Sequence, residues 1–463
     1  MYQEETIIAP ATGHQSAAIA VIRVSGPASI KITKKVFKSK FKKNLKNQKS
    51  HTLHFGEIVD GAEIIDEVLV AVFERGKSFT GEETVEISCH GSVYIQDRII
   101  DLFLEHGARL AEPGEFSMRA FKNGQFDLMQ AEAIADLIAS DSKASHDIAM
   151  TQMRGGISSK LDNLRKELIR FTALLELELD FSEEDVEFAD RTEFIKLLND
   201  IQAQVRSLID SFSYGNAIKN GVPVAIVGKP NAGKSTLLNK LLNEERAIVS
   251  NIAGTTRDTI EEILNIGGIK FRFIDTAGLR DTEDEIEKIG VQRALEKAKQ
   301  AKVILYLFNL EENTVAEITT HVEEFQREDV HLILLHNKAD EFSEDKIADF
   351  NKQLSAKTGH EIFNISAKQG DNVEEVKSHM LSIIKPDGFD NELIISNKRH
   401  ATALKKALEA LENAATGFSM NIPSDLIAQD LREAIRQLGN ITGEIDVDRD
   451  ILGLIFGEFC IGK

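Results

Sequence analysis

The chain has 463 residues, of which 42% are hydrophobic; that is too long for one compact core and predicts two or three globular domains. Its 55 basic against 75 acidic residues, net −20, exclude a protein coated in nucleic acid, because phosphate binding needs concentrated Lys and Arg. No apolar run of about 18 residues predicts a membrane span, "MYQEETIIAPATG" is no signal peptide, and two cysteines, Cys89 and Cys460, form no disulfide or zinc framework, so a reducing cytoplasmic setting is expected.

Residues 1–120 alternate short β-like runs with turns, among them "AAIAVIRVSG" (17–26) and "ETVEISCHG" (83–91). One basic stretch, "KITKKVFKSKFKKNLKNQK" (31–49), reads first as a solvated helix and loop; any RNA contact of an acidic chain has to be local or supplied by a partner. From about 127, "DLMQAEAIADLIASDSKASHDIAM" and "SSKLDNLRKELIRFTALLELELDF" predict long amphipathic helices broken at Gly155-Gly156. No proline occurs between Pro113 and Pro223 to interrupt them.

From 222 to about 384 strands and helices alternate. The strands are "VPVAIVG", "KFRFIDTAG", "KVILYLFNL", "HLILLHNKAD" and "EIFNISAK", the rhythm of a mostly parallel sheet wrapped by helices. After Pro386 helices return in "RHATALKKALEALENAATG" and "SDLIAQDLREAIRQLGN". The expected architecture is an N-terminal α+β domain (1–120) and a helical domain in two parts (121–216 and 385–463). Into it is inserted a Ras-like P-loop α/β domain (217–384).

"GKPNAGKS" (228–235) fits G-x-x-x-x-G-K-S between a strand and a helix. Backbone N–H groups of such a loop, here Asn231, Ala232, Gly233, Lys234, Ser235 and Thr236, wrap α- and β-phosphates. Lys234 reaches the β/γ oxygens and the Ser235 hydroxyl holds Mg²⁺. "DTAG", Asp275, Thr276, Ala277 and Gly278, offers a carboxylate to Mg²⁺ through water and an N–H to the γ-phosphate. "NKAD", with Asn337, Lys338 and Asp340, ends a later strand, and the acceptor-only Asp340 matches two N–H donors on the edge of guanine, which adenine lacks. "SAK", Ser366, Ala367 and Lys368, backs the base. Four motifs in this order specify GTP.

"GTTRD" (254–258) occupies the first-switch position, where Thr256 binds Mg²⁺. Leu279 follows the second-switch glycine in place of a water-orienting Gln. Asn231, with the backbone carbonyls of Ser250 and Ile252, offers instead a site for a monovalent cation, able to do the charge work of an arginine finger. Glu287, twelve residues past Asp275, is a candidate to orient water, although spacing alone favours a solvated surface carboxylate.

With these motifs in place the chain resembles the MnmE (TrmE) family of tRNA wobble-uridine modification GTPases along almost its whole length. "GKPNAGKST", "SNIAGTTRDT", "DTAGLR" and "EIEKIG" would also suit ribosome-assembly GTPases. "FTGEETVEISCHG", "EPGEFSMRAFKNGQFDLMQAEAIADLI" and the terminal "CIGK" discriminate in favour of the resemblance. It implies homodimerisation through a folate-binding-like N-terminal domain and a heterotetramer with an FAD-containing partner of the MnmG (GidA) type that shares the tRNA. It implies addition of an aminomethyl-type (carboxymethylaminomethyl) group at C5 of the wobble uridine. The carbon would come from a tetrahydrofolate, as the 5-formyl or methylene derivative. It makes Glu287 catalytic, and it places K⁺ among Asn231, Ser250, Ile252 and Thr255. Folate contacts fall on Arg23, Glu86 and Lys463. Where the family tends to carry lysine before "LDLAQ", this chain has Gln125 before "FDLMQ", so the cation is lost or replaced by Lys122. Cys460 becomes a reactive thiol carried toward the folate pocket, where the residues alone read as a frayed terminus. The rival readings are a GTP-controlled ribosome-assembly factor and a folate-dependent one-carbon enzyme with a regulatory GTPase inserted.

Overall fold

The structure is a computed structural model that describes residues 5–180, 191–243, 262–274, 301–327, 330–384, 393–420 and 422–443. They divide into two compact units. One comprises described residues within 1–139, 149–202 and from 403 onward; the other comprises 140–148 and those within 203–402.

The first unit contains a seven-stranded sheet in the order β3-β4-β5-β6-β2-β1-β7. Its strands are β1 (Ile7–Pro10), β2 (Ile19–Ser25), β3 (Phe37–Ser39), β4 (Thr52–Asp60), β5 (Glu63–Phe73), β6 (Thr84–His90) and β7 (Arg109–Leu110). All neighbours are antiparallel except β1 and β7. Alternation does the sorting: Ile22, Val24, Val70, Val72, Val85 and Ile87 are buried, and residues between them face outward. Helices Ser29–Val36 and Val93–Glu105 cover this core with Ile32, Val36, Ile99 and Phe103. Helices Glu115–Lys122, Leu128–Ala139, Gly156–Asp180 and Ser424–Thr442 follow in the same unit. Phe194 links helical segments there, stacking on Phe171 at 3.8 Å and packing against Phe418 at 4.3 Å.

The helical stretch after 127 is interrupted earlier than expected. Helix Leu128–Ala139 stops and Lys143–Met153 starts after a Ser-Asp-Ser turn. Ser142 and Ser145 exchange side-chain to backbone hydrogen bonds at 3.2 Å, an N-cap that competes with helix continuation. The break at Gly155-Gly156 is present as well, since the next helix begins at Gly156.

The second unit is built on a six-stranded sheet, β13-β12-β11-β8-β10-β9. It comprises β8 (Val222–Gly228), β9 (Glu262–Ile266), β10 (Ile269–Phe273), β11 (Val303–Phe308), β12 (His331–His336) and β13 (Ile362–Asn364). Five strands run parallel, and β9 is an antiparallel edge. The expected parallel strands all appear; β9 is an addition. Its hairpin with β10 turns on Gly267 and Gly268, both at positive φ (58° and 86°), the signature of a type I′ turn. The sheet is buried on both faces. Val224, Leu305 and Leu307 join Leu237, Leu241 and Met380 on one side, while Ala225, Val227 and Phe308 join Ile318 and Leu354 on the other. No helix among the described residues is long and apolar enough to cross a membrane.

Candidate active site

Strands β8, β10, β11, β12 and β13 share one direction, so their carboxyl ends lie along one edge of the sheet, where ligands of open α/β sheets sit. β8 ends at Gly228, opening the phosphate-type loop, and helix Lys234–Asn243 begins at its far side. The N–H groups of a helix's first turn have no intrahelical partners and attract anions. Asn231 holds a left-handed backbone (φ 62°), which folds the loop back on itself. Gly233 (φ 96°) is required twice over: its conformation disfavours a side chain, and a Cβ there would overlap Asn337 Nδ2.

Lys234 Nζ donates to the carbonyl oxygens of Gly228 (2.7 Å) and Lys229 (2.9 Å), which fixes the ammonium across the loop. Burial pushes the pKa of Lys234 down, a penalty that an anionic phosphate would offset. Ser235 is half-buried and Thr236 exposed at the start of the helix.

"NKAD" begins where β12 ends. Asn337 is buried and joins two loops: its Nδ2 donates to Ala232 O (2.7 Å), and its Oδ1 accepts from Ala367 N–H (3.0 Å). One amide thus ties the phosphate-type loop to "SAK". Lys338 is left-handed (φ 60°), which starts the short 3₁₀ turn Ala339–Glu341 and leaves Asp340 exposed. Ala339 N–H donates to Ile365 O, and Ile365 N–H to His336 O, so the two loops are also joined through backbone. Ser366 is buried, with its hydroxyl accepting from Gln369 N–H, while Lys368 projects into solvent.

Asn231, Ala232, Gly233, Lys234, Ser235, Thr236, Asn337, Lys338, Asp340, Ser366, Ala367 and Lys368 are therefore gathered at one sheet edge. Ser250, Ile252, Thr255, Thr256, Asp275, Thr276, Ala277, Gly278 and Glu287 lie outside the described residues, as do Cys460 and Lys463. β10 parallels β8 up to Ile274, whose N–H donates to Val224 O, so it delivers the chain toward that same edge.

Two features here have no counterpart in the sequence reading. Lys229 Nζ donates to Glu312 O (2.6 Å) and pairs with Glu317 Oε2 (3.1 Å). Glu317 also closes a capping box with Thr314 at the start of helix Val315–Phe325, and the T-x-x-E spacing was the available signal. His336, next to Asn337, is fully buried, bonds Asn364 Oδ1 through Nδ1 (3.1 Å) and stacks on Phe308; burial pushes its pKa down and keeps it neutral.

A second cluster lies in the first unit. Arg23 on β2 faces Glu86 on β6 directly, with Arg23 Nε to Glu86 Oε1 at 2.9 Å. The guanidinium lies over the rings of Phe79 (5.0 Å) and Phe116 (5.7 Å). Phe79 packs on Phe126 at 5.8 Å, and neighbouring Gln125 closes against Gly81. Arg23, Glu86 and Gln125 thus flank one loop, 79–82. Behind it Arg119 bonds the buried Glu115, the half-buried Glu82 and the carbonyl of the exposed Glu5. The donors and acceptors suit a ligand with a hydrogen-bonding ring edge and a carboxylate.

Comparison with known proteins covers the whole chain in sequence. The family model of the GTP-binding protein TrmE N-terminus matches residues 6–125, and that of the MnmE helical domain matches 128–460. The tRNA modification GTPase MnmE of Flavobacterium johnsoniae is 53% identical, with 100% of both chains covered. Its namesakes from Cytophaga hutchinsonii (51%; 99% of this chain and 98% of theirs) and Porphyromonas gingivalis (47%; 100% and 99%) align over the same span. Era from Aquifex aeolicus matches 41% of this chain and 66% of its own at 29% identity, with a TM-score of 0.28, too low to bear on the fold. The phosphate-type loop, the guanine motif and end-to-end identity near one half agree: the chain belongs to the MnmE (TrmE) family of tRNA modification GTPases.

Proposed function

We propose that this chain is a GTP hydrolase that takes part in tRNA modification. The observation that carries the nucleotide half is the Asn337 amide, which ties the phosphate-type loop to "SAK" beside an exposed Asp340. Phosphates lie along the loop Asn231–Thr236, and guanine lies between Asp340 and the Ala367 N–H. Ser235, Thr256 and Asp275 would hold Mg²⁺, which would supply charge neutralisation at the phosphates. Relatives that carry the tRNA half of the name align without gaps in coverage.

The finer reading goes further. Asn231, Ser250, Ile252 and Thr255 hold K⁺ next to the phosphates, and Glu287 orients the attacking water. Arg23, Glu86, Gln125 and Lys463 receive a tetrahydrofolate derivative. The chain dimerises through its N-terminal domain and acts in the cytoplasm with an FAD-containing partner on the wobble uridine. The domain boundaries are 1–120, 121–216, 217–384 and 385–463. Cys460 serves the modification and not the hydrolysis.

Nucleoside analysis of wobble uridines in a strain lacking the chain tests the substrate: unchanged uridines would remove the tRNA role. Asp340→Asn tests the base. An amide donates where the carboxylate accepts, so preference should move from guanine to xanthine. Unaltered GTP affinity would remove Asp340 from the site. Cys460→Ser should leave GTP turnover intact and lower modification in the reconstituted two-protein system; full modification would leave the thiol without a role.

A further inference from the structure

Residues 31–49 hold nine of the chain's 55 basic residues and no acidic one, in a protein of net charge −20. The structure shows that this run is an outward-facing surface that wraps the β3 edge of the sheet, from the helix on the core side to Lys40 beside Glu57 and Glu67 on the other. Helix Ser29–Val36 buries Ile32, Thr33 and Val36 and turns Lys31, Lys34 and Lys35 to solvent. β3 then buries Phe37 against β4 and exposes Lys38. Leu45, 2% exposed, anchors the short 3₁₀ turn Leu45–Asn47, which Asn44 caps. Around that anchor Lys42, Lys43, Lys46 and Lys49 are exposed.

Of the nine, only Lys40 pairs with carboxylates among the described residues, bonding Glu67 at 2.5 Å and Glu57 at 3.4 Å. That pairing marks the edge of the patch. The other eight ammonium groups have no acidic partner there, although the chain carries an excess of acids. At the tip Phe41 is 70% exposed between Lys40 and Lys42. The neighbouring apolar side chains, Ile32, Val36, Phe37 and Leu45, all serve the core.

We propose that this face, from Lys31 to Lys49, contacts the sugar-phosphate backbone of tRNA, with Phe41 as a platform on which an unpaired base stacks. The proposal rests on the tRNA-directed reading above and names a surface for it. Exposed lysines without acidic partners suit phosphate oxygens, and an exposed aromatic among them suits a splayed base. Within 31–49 Phe41 is the one exposed large apolar side chain; Phe55, under the Lys40 ammonium, and its cross-strand partner Leu69 are also exposed, so an anionic membrane is the competing occupant that the test has to separate from tRNA.

The test uses the full chain and an unmodified tRNA transcript, with affinity measured from 50 to 200 mM salt. Replacing Lys34, Lys35, Lys42 and Lys43 together by alanine should lower the log–log salt slope by about 3, at roughly 0.7–0.9 per lost phosphate contact. The same four positions as arginine should keep the slope. Phe41→Ala should weaken binding about 5- to 100-fold without altering the slope, and Phe41→Tyr should restore it. GTP turnover without tRNA should be unchanged in every variant. Wild-type affinity and slope in the alanine variant would overturn the proposal and leave the tRNA reading standing. Failure of the unaltered protein to bind tRNA at 50 mM salt would also overturn it and would leave RNA contact to the partner. Lysine-dependent capture of phosphatidylglycerol vesicles, with tRNA binding unaffected by the substitutions, would overturn it in favour of a membrane.

Discussion

The nucleotide edge of the second unit and the Arg23 cluster of the first are assembled by different physics. At the nucleotide edge backbone does most of the work. Parallel strands end in loops, glycine and a left-handed Asn231 curl one of them, and the Asn337 amide joins two. The Arg23 cluster is made of charged side chains that satisfy each other within the fold: Arg23 with Glu86 and Arg119 with Glu82 across distant segments, and Arg119 with Glu115 one turn away on the same helix. A backbone cradle demands particular residue types at fixed spacing, whereas a side-chain cluster demands only that partners meet. The first kind of site is written in short motifs; the second is not.

The contrast breaks most sharply over charge at the phosphates. If Asn231 helps hold K⁺, the cation replaces an arginine finger, an effect of roughly 10³- to 10⁵-fold on turnover. Hydrolysis in potassium should exceed that in sodium by an amount on that scale, and Asn231→Ala should remove the difference. Equal rates in the two salts would leave the loop as a cradle alone. Glu287→Ala should slow turnover while GTP affinity stays nearly intact.

The Arg119 network should respond through stability and not through GTP. The Glu115 side chain is fully buried, with Arg119 at 2.7 Å and Arg109 at 2.7 Å. Arg119→Met removes one of two guanidinium partners from a buried carboxylate; Arg109 stays bonded to it, so the cost should fall below the roughly 3–5 kcal/mol of a buried charge left unpaired. Denaturant unfolding of the first unit should shift accordingly, with GTP affinity unaltered. The same group predicts acid sensitivity. Burial pushes the Glu115 carboxyl up, but hydrogen bonds from Arg109, the Glu112 N–H and Arg119 outweigh it and hold it below the usual range. A depressed folded pKa contributes stability that is present above the unfolded value of about 4.3 and lost as pH falls through the folded one. Glu115→Gln should flatten that part of the pH–stability curve; an unchanged curve would assign the acid transition to other carboxylates.

Asn337→Ala comes next. It orphans the Ala232 carbonyl and the Ala367 N–H, at about 1–3 kcal/mol for each buried group left unpaired. GTP affinity and the stability of the second unit should fall together. A loss of affinity with no loss of stability would mean that water replaces the amide and that its role is confined to the ligand.

Legibility followed the same division. The five parallel strands and the phosphate-type loop were readable because continuous apolar runs and G-x-x-x-x-G-K-S each have a narrow physical cause. β9 is a short edge strand with no continuous apolar run to announce it, and only Gly267-Gly268 marks its hairpin. The break at 140–142 was hidden because serine and aspartate also suit a helix surface, and only the reciprocal Ser142–Ser145 bonds reveal the cap. The pairing of Arg23 with Glu86 spans 63 residues, and nothing local in either strand announces it. The same holds for Lys229 and Glu317, 88 residues apart.

The smallest expected effect concerns Gln125, where the chain departs from the pattern it resembles. Gln125 is exposed, and its Nε2 lies 3.5 Å from the Asn123 carbonyl and close against Gly81, beside the loop that Arg23 and Phe79 support. An amide there donates a hydrogen bond but brings no charge to a folate carboxylate. Gln125→Lys restores the cation on a solvated surface, where an ion pair contributes about 0–1 kcal/mol. Affinity for 5-formyltetrahydrofolate should therefore rise by no more than about fivefold. The gain should shrink as salt increases, because exposed charges are screened over about 10 Å at 0.1 M. Calorimetry on the full chain at two ionic strengths reads both. A gain that salt does not diminish would mean that lysine improved packing and supplied no charge. No gain would move the carboxylate contact away from Gln125, and Lys122→Gln would then be the substitution that weakens binding.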